Sequence, residues 1–326
     1  MNGSRFQVSR RSVLRGAAAA AGALLVPGAL PLVGCGDELS QRRYFRFAIL
    51  SDSHVIDEYY VGPESNRLDT ESILSANERF ARAVTFVEEL EPRMDFVLLG
   101  GDIIHRYPFA DLDAYAVNRT AIDEVAEQLG RLSMPVHATL GNHDYAVRSI
   151  ERSFTHELFR EKLGIEPYTS FDFMGWRFIM ANCYLGATQD RRSDAFDTLY
   201  GSYGREQLEW MEALLEDGLP TFIVTHQPPL LLQVGELGDF GFLELVRRYQ
   251  DTIVEVITGH WHRWFDFGTT YGPHVMAMGS TRYDEDAVLL VEVDTLLGTA
   301  RFVNRWTWFT HETPPFDPAT AAWGRG

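Results

Sequence analysis

Five apolar stretches of this chain each stop at side chains that can bind a metal ion. The stretches are residues 45–50, 96–99, 136–140, 222–225 and 254–258, and the polar side chains that follow them are Asp52, His54, Asp102, Asn142, His143, His226, His260 and His262. Five of the ten histidines belong to this set, so chance placement explains it poorly. Oxygen and nitrogen ligands without a thiolate suit manganese, iron or zinc. The sequence therefore predicts a functional metal site.

The spacing of His260 and His262 bears on how many ions such a site would hold. In an extended segment both rings project to the same side, with backbone positions about 6 to 7 Å apart. That separation is awkward for one ion but natural for two ions about 3.5 to 4 Å apart, each bound by one ring. The spacing favours a dinuclear site, although a Gly-His-x-His segment alone is equally compatible with a turn that carries two solvated histidines.

Strands and helices of an α/β domain must bring these scattered side chains together. Apolar residues at three- and four-residue spacing predict one helix, capped by Asp69 or Thr70 and ending before Pro92, and a second helix over 112–129. Residues 45–102 thus form a β-helix-β unit, whose two strands are expected to be parallel. Because ligands of open α/β sheets gather beyond the carboxyl ends of the strands, the candidate side chains should meet at one edge.

The later part of the chain is predicted to contain more strand than helix. A hairpin is expected over residues 168–182, and three further strands are expected over 274–278, 287–293 and 299–308. Because no helix separates the last two strands, they should be antiparallel and cap a second sheet. No linker is visible, so a single domain over 44–313 is expected, followed by a loose tail over 314–326.

Residues 1–34 are predicted to be an export signal and not part of the domain. Their only charges are four arginines, and they include an Ala-rich, weakly hydrophobic run. Ser9-Arg10-Arg11-Ser12-Val13-Leu14 resembles a twin-arginine signal, with valine where phenylalanine is usual. Leu32-Val33-Gly34-Cys35 resembles a lipoprotein cleavage site, which implies a lipid on Cys35, a tether over 35–43 and a membrane-anchored protein of the bacterial cell envelope. The alternatives are a membrane-spanning helix that stays attached and a signal cut elsewhere.

The charge of the chain limits its partners. The net charge is −17, although the first 34 residues contribute only positive charge, so the remainder is more acidic still. A surface this acidic disfavours long nucleic acids, while a metal centre could still attract a small anion. Cys35 and Cys183 are the only cysteines. If Cys35 carries lipid, Cys183 has no partner within the chain, and the fold does not depend on disulfides.

The motifs occur in a characteristic order along the chain. They are Asp-x-His, Gly-Asp, Gly-Asn-His-Asp, a lone His and Gly-His-x-His. This series resembles the calcineurin-like metallophosphoesterase superfamily over residues 45–262. The resemblance implies an α/β fold of four layers, an α/β/β/α sandwich of two mixed sheets flanked by helices. It also implies two divalent metal ions at one end of the paired sheets.

The same resemblance implies a role for each candidate residue. Asp52, His54 and His262 would hold one ion, Asn142, His226 and His260 would hold the other, and Asp102 would bridge them. Two ions sharing a water lower its pKa and neutralise the phosphoryl oxygens, so the implied reaction is hydrolysis of a phosphoester. His143, which binds no metal in the family pattern, would protonate the leaving alkoxide. Asp144 could orient His143.

Two departures from related families and one resemblance shape the functional hypothesis. His105 stands where purple acid phosphatases place a metal-ligating tyrosine, and residues 103–107 lack the Asp-Arg-Gly of protein serine/threonine phosphatases. Thr225-His226-Gln227-Pro228-Pro229 looks most like class III cyclic-nucleotide phosphodiesterases. We therefore expect cleavage of phosphodiester bonds in small molecules. The alternatives are a phosphomonoesterase acting on nucleotides or sugar phosphates, and a surface scaffold that holds metals without catalysis. His105 could be an extra ligand, a group that supports a ligand, or a solvated side chain.

Overall fold

The computed structural model describes residues 6–7 and 42–304, and two six-stranded sheets form its centre. Sheet A contains β1 (Phe6–Gln7), β2 (Tyr44–Leu50), β3 (Phe96–Leu99), β4 (Val136–Ala138), β11 (Leu289–Asp294) and β12 (Thr299–Phe302). Sheet B contains β5 (Thr169–Phe173), β6 (Trp176–Met180), β7 (Thr221–Val224), β8 (Ile253–Thr258), β9 (Phe265–Gly268) and β10 (Val275–Ala277). The strand orders are β1-β12-β11-β2-β3-β4 and β5-β6-β7-β8-β10-β9.

Both sheets are mixed, as predicted. In sheet A, β2, β3 and β4 are parallel, with Ile49 opposite Leu98 and Leu98 opposite His137. In sheet B, β6, β7, β8 and β10 are parallel. The pairing of β2 with β3 confirms the predicted β-helix-β unit. Parallel strands end at the same edge of a sheet, so these strands direct the segments that follow them to a common region.

The helices cover the outer faces of the two sheets. They are α1 (Arg67–Leu74), α2 (Ala76–Glu89), α3 (Leu112–Val117), α4 (Ala121–Leu129), α5 (Asn142–Tyr145), α6 (Arg152–Leu163), α7 (Arg205–Leu215) and α8 (Phe242–Arg248). Alternate residues of β2 show how the layers form. Phe47 joins a core between the sheets, whereas Ala48 and Leu50 join a core that includes the apolar residues of α2. The predicted four-layer α/β/β/α sandwich is confirmed.

Aromatic rings fill the space between the sheets. The Phe47 ring of sheet A meets the Phe178 ring of sheet B edge to face, with the ring centroids 5.1 Å apart. Phe178 in turn stacks on Phe222, at a centroid distance of 5.4 Å. Edge-to-face pairs of this kind add to the free energy that burial alone provides. The two sheets therefore hold their strand ends at a fixed mutual position.

Both predicted helices are interrupted in the structure. The first is divided at Ser75 into α1 and α2, and its N-cap is Asn66, which accepts the backbone N–H of Asp69, and not Asp69 or Thr70 as expected. The second is divided into α3 and α4 because Thr120 starts a new helix, in a capping box with Asp123. The apolar spacing continues across each break, so periodicity did not reveal it.

The predicted position of the last strands was partly wrong. The strands β11 and β12 are antiparallel, as expected, but they extend sheet A through the pairing of β11 with β2. All six residues of β11 are buried, which suits an interior strand with a partner on each side. The preceding strand, β10, lies parallel to β8 in sheet B.

Several predictions concern residues that lie outside the described part of the chain. These are the twin-arginine motif, the lipid on Cys35, most of the tether, residues 305–308 of the last strand and the tail. The backbone of Phe6–Gln7 is described and pairs antiparallel with β12. In the described residues no helix combines the length and the hydropathy needed to cross a bilayer. Export and membrane anchoring stay predictions.

Candidate metal centre

All seven predicted ligands meet where strands of the two sheets end. Asp52 and His54 follow β2, Asp102 follows β3, Asn142 opens α5 after β4, His226 follows β7, and His260 and His262 follow β8. Three residues of the set, His54, Asp52 and His226, are fully buried. Strand ends from both sheets therefore build one site, as the sequence predicted.

The ligand atoms form two clusters that share Asp102. In the first cluster, His54 Nε2 lies 3.0 Å from His262 Nε2 and 3.5 Å from Asp102 Oδ2, while His262 Nε2 lies 3.3 Å from Asp52 Oδ1. The ligand atoms of these four residues all lie within 4.8 Å of one another. They match the first predicted ligand set together with its bridging carboxylate.

The second cluster lies on the other side of Asp102. His226 Nε2 is 3.3 Å from Asp102 Oδ2 and 3.2 Å from Asn142 Oδ1. The same Asn142 oxygen is 2.8 Å from His260 Nδ1. Nitrogen and oxygen lone pairs at such distances repel unless a proton or a cation lies between them. The donor set therefore fits two divalent ions with nitrogen and oxygen ligands, and Asp102 stands between them.

The backbone at the ligands is strained. Seven non-glycine residues in the described part of the chain have positive φ, and five of them are predicted ligands. The five φ values are 54° at Asp52, 47° at His54, 50° at Asp102, 69° at His260 and 56° at His262, so the expected extended backbone from His260 to His262 was wrong. Such conformations cost about 1 to 3 kcal/mol each and cluster at functional sites. This strain is independent of the side-chain distances and supports a binding role for the same residues.

Other groups hold the ligands in place. Ser51 Oγ donates to Asp52 Oδ2 at 2.6 Å, and the backbone N–H of His260 donates to Asp52 Oδ1 at 3.0 Å. The Nδ1–H of His226 donates to the Gly100 carbonyl at 2.9 Å, which leaves its Nε2 free for an ion. Hydrogen bonds of this kind fix the tautomer and orientation of metal ligands.

Two glycines allow the ligand loops to approach closely. A Cβ atom on Gly141 would lie 2.2 Å from Asp102 Oδ1, and one on Gly259 would lie 2.5 Å from Asp52 Oδ2. No side chain fits at either position without displacing a carboxylate. The glycines that precede Asn142 and His260 in the sequence motifs are therefore a steric requirement of the site.

The protonation of the rings follows from their surroundings. Burial and the neighbouring His226 lower the pKa of His260 to about 4, and burial together with His143 lowers the pKa of His54 well below its usual value. Both rings are therefore neutral at pH 7, the form that binds metals. Burial also lowers the pKa of His226, but Asp102 and Asp52 outweigh it and raise the value to about 10. An ion bound at His226 would displace that proton.

His143 lies beside the two clusters, with one ring nitrogen already engaged. Its Nδ1–H donates to the His105 carbonyl at 2.6 Å, and its backbone N–H donates to Asp102 Oδ1 at 2.8 Å. The ring meets the His54 ring edge to face, at a centroid distance of 4.5 Å. The His143 Nε2 atom is the one that remains for proton transfer.

Asp144 has a different position from the one suggested by the sequence. Its carboxylate accepts the backbone N–H groups of Ile103 at 2.9 Å, Ile104 at 3.0 Å and Gly141 at 2.8 Å. These bonds tie the loop after β3 to the loop after β4, so Asp144 holds together the segments that carry Asp102 and Asn142. The His105 carbonyl, and not Asp144, orients the His143 ring.

Sequence reasoning missed two residues that contact the site. The buried Tyr184 hydroxyl lies 3.4 Å from Asn142 Oδ1, and Glu64 lies 3.3 Å from His105. Tyr184 follows the end of β6 just as the ligands follow theirs, so the same pattern could have identified it. Glu64 lies in the loop before α1, where no sequence pattern marks it.

Removing divalent ions is expected to lower the thermal stability of the protein. Each ion present at about 100 times its Kd adds about 2.7 kcal/mol to the free energy of unfolding, or roughly 5 to 10 °C in Tm for a domain of this size. Calorimetry in excess EDTA and in excess manganese measures the difference. The Tm of Asp102→Asn should respond much less to manganese. An unchanged Tm of the parent protein in the two buffers would contradict a metal centre.

The chain is similar in sequence to known phosphoesterases. The family model described as calcineurin-like phosphoesterase matches residues 45–264. A probable cyclic nucleotide phosphodiesterase of Synechococcus is 29% identical over 192 residues, which are 56% of this chain and 64% of that protein. A 3',5'-cyclic-nucleotide phosphodiesterase of Nostoc is 26% identical over 183 residues, which are 56% of this chain and 58% of the relative. The chain thus spans about three fifths of the length of these curated relatives.

A solved structure shares the fold. A dimetal phosphatase from Danio rerio superposes with a TM-score of 0.52 at 19% sequence identity, and the match covers 76% of this chain and 92% of that protein. At this identity the likeness concerns the fold alone. It agrees with the two mixed sheets and flanking helices described above.

Proposed function

The chain belongs to the calcineurin-like phosphoesterase family, and from this premise we propose that it hydrolyses phosphodiester bonds of small molecules with two divalent metal ions. The observation that carries the proposal is Asp102, whose carboxylate lies within 3.5 Å of ring nitrogens from both ligand clusters. His143 is held to the same carboxylate through its backbone N–H. The site would therefore combine a place for two cations with a proton donor.

Each residue would contribute a separate function to the reaction. Two bound divalent ions would supply a water activated at neutral pH and would neutralise the phosphoryl oxygens. Asp102 and Asp52 would balance the charge of the ions, while Asn142 and the four ligand histidines complete the ligand sets. The Nε2–H of His143 would donate its proton to the leaving oxygen, and the His105 carbonyl would keep the ring turned for that donation. Manganese, iron and zinc all suit these nitrogen and oxygen ligands.

The relatives favour a diester as substrate. Two of them bear the name cyclic-nucleotide phosphodiesterase, at 29% and 26% identity, so a cyclic nucleotide is the first natural substrate to test. The acidic chain, with its net charge of −17, disfavours long nucleic acids as substrates. A small phosphoester bound at the cations is the partner that this charge distribution permits.

The protein is expected to hydrolyse bis(p-nitrophenyl) phosphate at least about tenfold faster, in kcat/KM, than p-nitrophenyl phosphate, a difference of about 1.4 kcal/mol in activation free energy. Both substrates release the same phenolate, so the ratio reports the preference for a diester over a monoester. The assay uses one manganese-loaded preparation, and Asp102→Asn purified in parallel gives the background of contaminating enzymes. A higher value for the monoester would favour the phosphomonoesterase alternative.

The scaffold alternative predicts a different outcome. A scaffold would bind two ions yet hydrolyse neither ester, and His143→Ala would leave its partner binding intact. The hydrogen bonds that turn His143 toward the clusters speak against it, because a scaffold has no need of an oriented proton donor.

A further inference from the structure

His105 contacts the metal ligand His54 on the side away from the ion cluster. Its Nδ1 lies 3.3 Å from His54 Nδ1, and its Nε2 lies 3.3 Å from Glu64 Oε1. We propose that Glu64 and His105 are positioning residues, which hold His54 for its ion through this chain of two hydrogen bonds. We name it the Glu64–His105–His54 relay. The proposal rests on the metal centre of the proposed function.

The protons of the relay can be assigned without any charged ring. His54 Nε2 faces His262 and Asp102, so that nitrogen is the one available to an ion. A neutral imidazole has one N–H, which in His54 is then on Nδ1. This N–H donates to the lone pair of His105 Nδ1, and His105 carries its own proton on Nε2. That second N–H donates to the Glu64 carboxylate, which ends the relay as a pure acceptor.

Because His54 is buried, its Nδ1–H depends on His105 for a hydrogen-bond acceptor. His54 is 0% exposed and His105 is 4% exposed, so bulk water does not replace their hydrogen bonds. A buried donor left unsatisfied costs about 1 to 3 kcal/mol. If the His54 ring turned over, its proton would face Asp102 and His262 and its lone pair would be lost to the ion. The relay opposes that turn.

Glu64 is itself fixed. The Tyr60 hydroxyl donates to its Oε1 at 2.7 Å, and Arg106 Nη2 lies 3.4 Å from both that oxygen and His105 Nε2. Because His105 Nε2 carries the proton of the relay, the Arg106 N–H donates to the Glu64 carboxylate. The backbone N–H of Glu64 donates to Thr70 Oγ1 at 3.0 Å, which connects the residue to α1. The relay therefore links the loop before α1 to the first ligand cluster.

A third ion is the competing interpretation of the same residues. Ring nitrogens of His54, His105 and His143 lie within 4.8 Å of one another. A third ion would have to use His143 Nε2, the atom proposed for proton transfer, because Nδ1 is bonded to the His105 carbonyl. His54 would also have to bind two ions through one ring. A carboxylate at the far nitrogen of His105 is the arrangement typical of a group that supports a ligand. The number of bound ions distinguishes the two interpretations.

The test measures manganese binding to the full-length protein by equilibrium dialysis, with metal analysis of the retained protein. His105→Leu should raise the Kd of one of the two ions by about 10- to 100-fold and leave the other within about threefold. In His105→Asn the amide oxygen can take the place of the Nδ1 acceptor, so most of the affinity should return. Glu64→Ala, a change at a more exposed side chain, should raise the same Kd by about tenfold.

His137→Leu is the matched control. His137 lies in β4 with its ring stacked on Phe171, at a centroid distance of 3.8 Å, so the same substitution there should leave manganese binding unchanged. Calorimetry of each variant in EDTA verifies that it folds. The relay is overturned if both ions bind to His105→Leu and Glu64→Ala as tightly as to the parent. It is also overturned if the parent binds three ions and His105→Leu binds two.

The failure of the relay can be told apart from the failure of the proposed function. A parent protein that cleaves diesters while His105→Leu keeps its manganese affinity refutes the relay alone. A parent that cleaves no ester while the Kd rises in His105→Leu and returns in His105→Asn supports the relay and refutes the hydrolase.

Discussion

Replacing Asp102 with asparagine is expected to lower kcat/KM for the diester by about 1,000-fold or more and to reduce the bound metal to at most one ion per chain. Asp102 and Asp52 are the only carboxylates among the seven predicted ligands, so the change removes one of two negative charges while it preserves the shape of the side chain. Loss of an ion removes several kcal/mol of transition-state stabilisation, and each 1.36 kcal/mol is a factor of ten in rate.

The measurement combines metal analysis with turnover of bis(p-nitrophenyl) phosphate. Asp95→Asn is the matched control, because Asp95 precedes β3 at the opposite end of the strand from Asp102. The Asp95 carboxylate is paired with Arg42 at 2.7 Å and accepts the backbone N–H of Arg46 at 2.9 Å, far from the ligands along the strand. Its substitution should affect stability alone. Two ions and more than about a tenth of the activity in Asp102→Asn would show that Asp102 does not bridge.

The meeting of the candidate ligands could be predicted because position along a strand is a local property of the sequence. Asp102 follows the buried strand β3, and His226 follows β7 in the other sheet. Parallel strands bring their carboxyl ends to one edge, and the aromatic core between the sheets holds the two edges together. The side chains thus meet at 3.3 Å although their strands belong to different sheets.

The choice of sheet for a strand could not be predicted in the same way. Four of the six residues of β11 are apolar, and acidic residues alternate with apolar ones toward its end. A strand of this composition fits an interior position in either sheet. Its partner, β2, is distant in sequence, and no local pattern records which buried neighbour it will meet. The antiparallel pairing with β12 depends only on the short turn between them, and that part of the prediction was confirmed.

The residues that support the ligands were the hardest to foresee. His105 is a candidate from sequence because it stands where purple acid phosphatases have a metal-ligating tyrosine. Its partner Glu64 lies in a loop in which no periodic pattern marks it. The contact between them depends on how that loop packs against the segment that follows β3 and on the bond of Glu64 to Tyr60. Sequence patterns identify residues that lie at the ends of strands and helices near a site. Contacts between loops, such as that of Glu64 with His105, leave no such pattern in the sequence.

Replacing His143 with alanine is expected to reduce hydrolysis by an amount that depends on the leaving group. General acid catalysis contributes about 100- to 10,000-fold, so turnover of a 3',5'-cyclic nucleotide, whose leaving oxygen is an alkoxide, should fall within that range. Nitrophenolate leaves without protonation at neutral pH, so turnover of bis(p-nitrophenyl) phosphate should fall by less than about tenfold. Initial rates for both substrates, measured on the same manganese-loaded preparation, give the two factors.

His143→Asn separates proton donation from positioning. The asparagine amide can still donate to the His105 carbonyl, which now accepts the His143 Nδ1–H at 2.6 Å, and the backbone N–H bond to Asp102 is kept. The amide N–H of asparagine is too weakly acidic to transfer a proton to the leaving oxygen. The rates of His143→Asn should therefore match those of His143→Ala for both substrates, with two ions still bound. Equal losses for the alkoxide and the phenolate would instead mean that His143 acts by shaping the metal centre. Recovery of the cyclic-nucleotide rate in His143→Asn would lead to the same conclusion, since only the hydrogen bond and not the proton would then be needed.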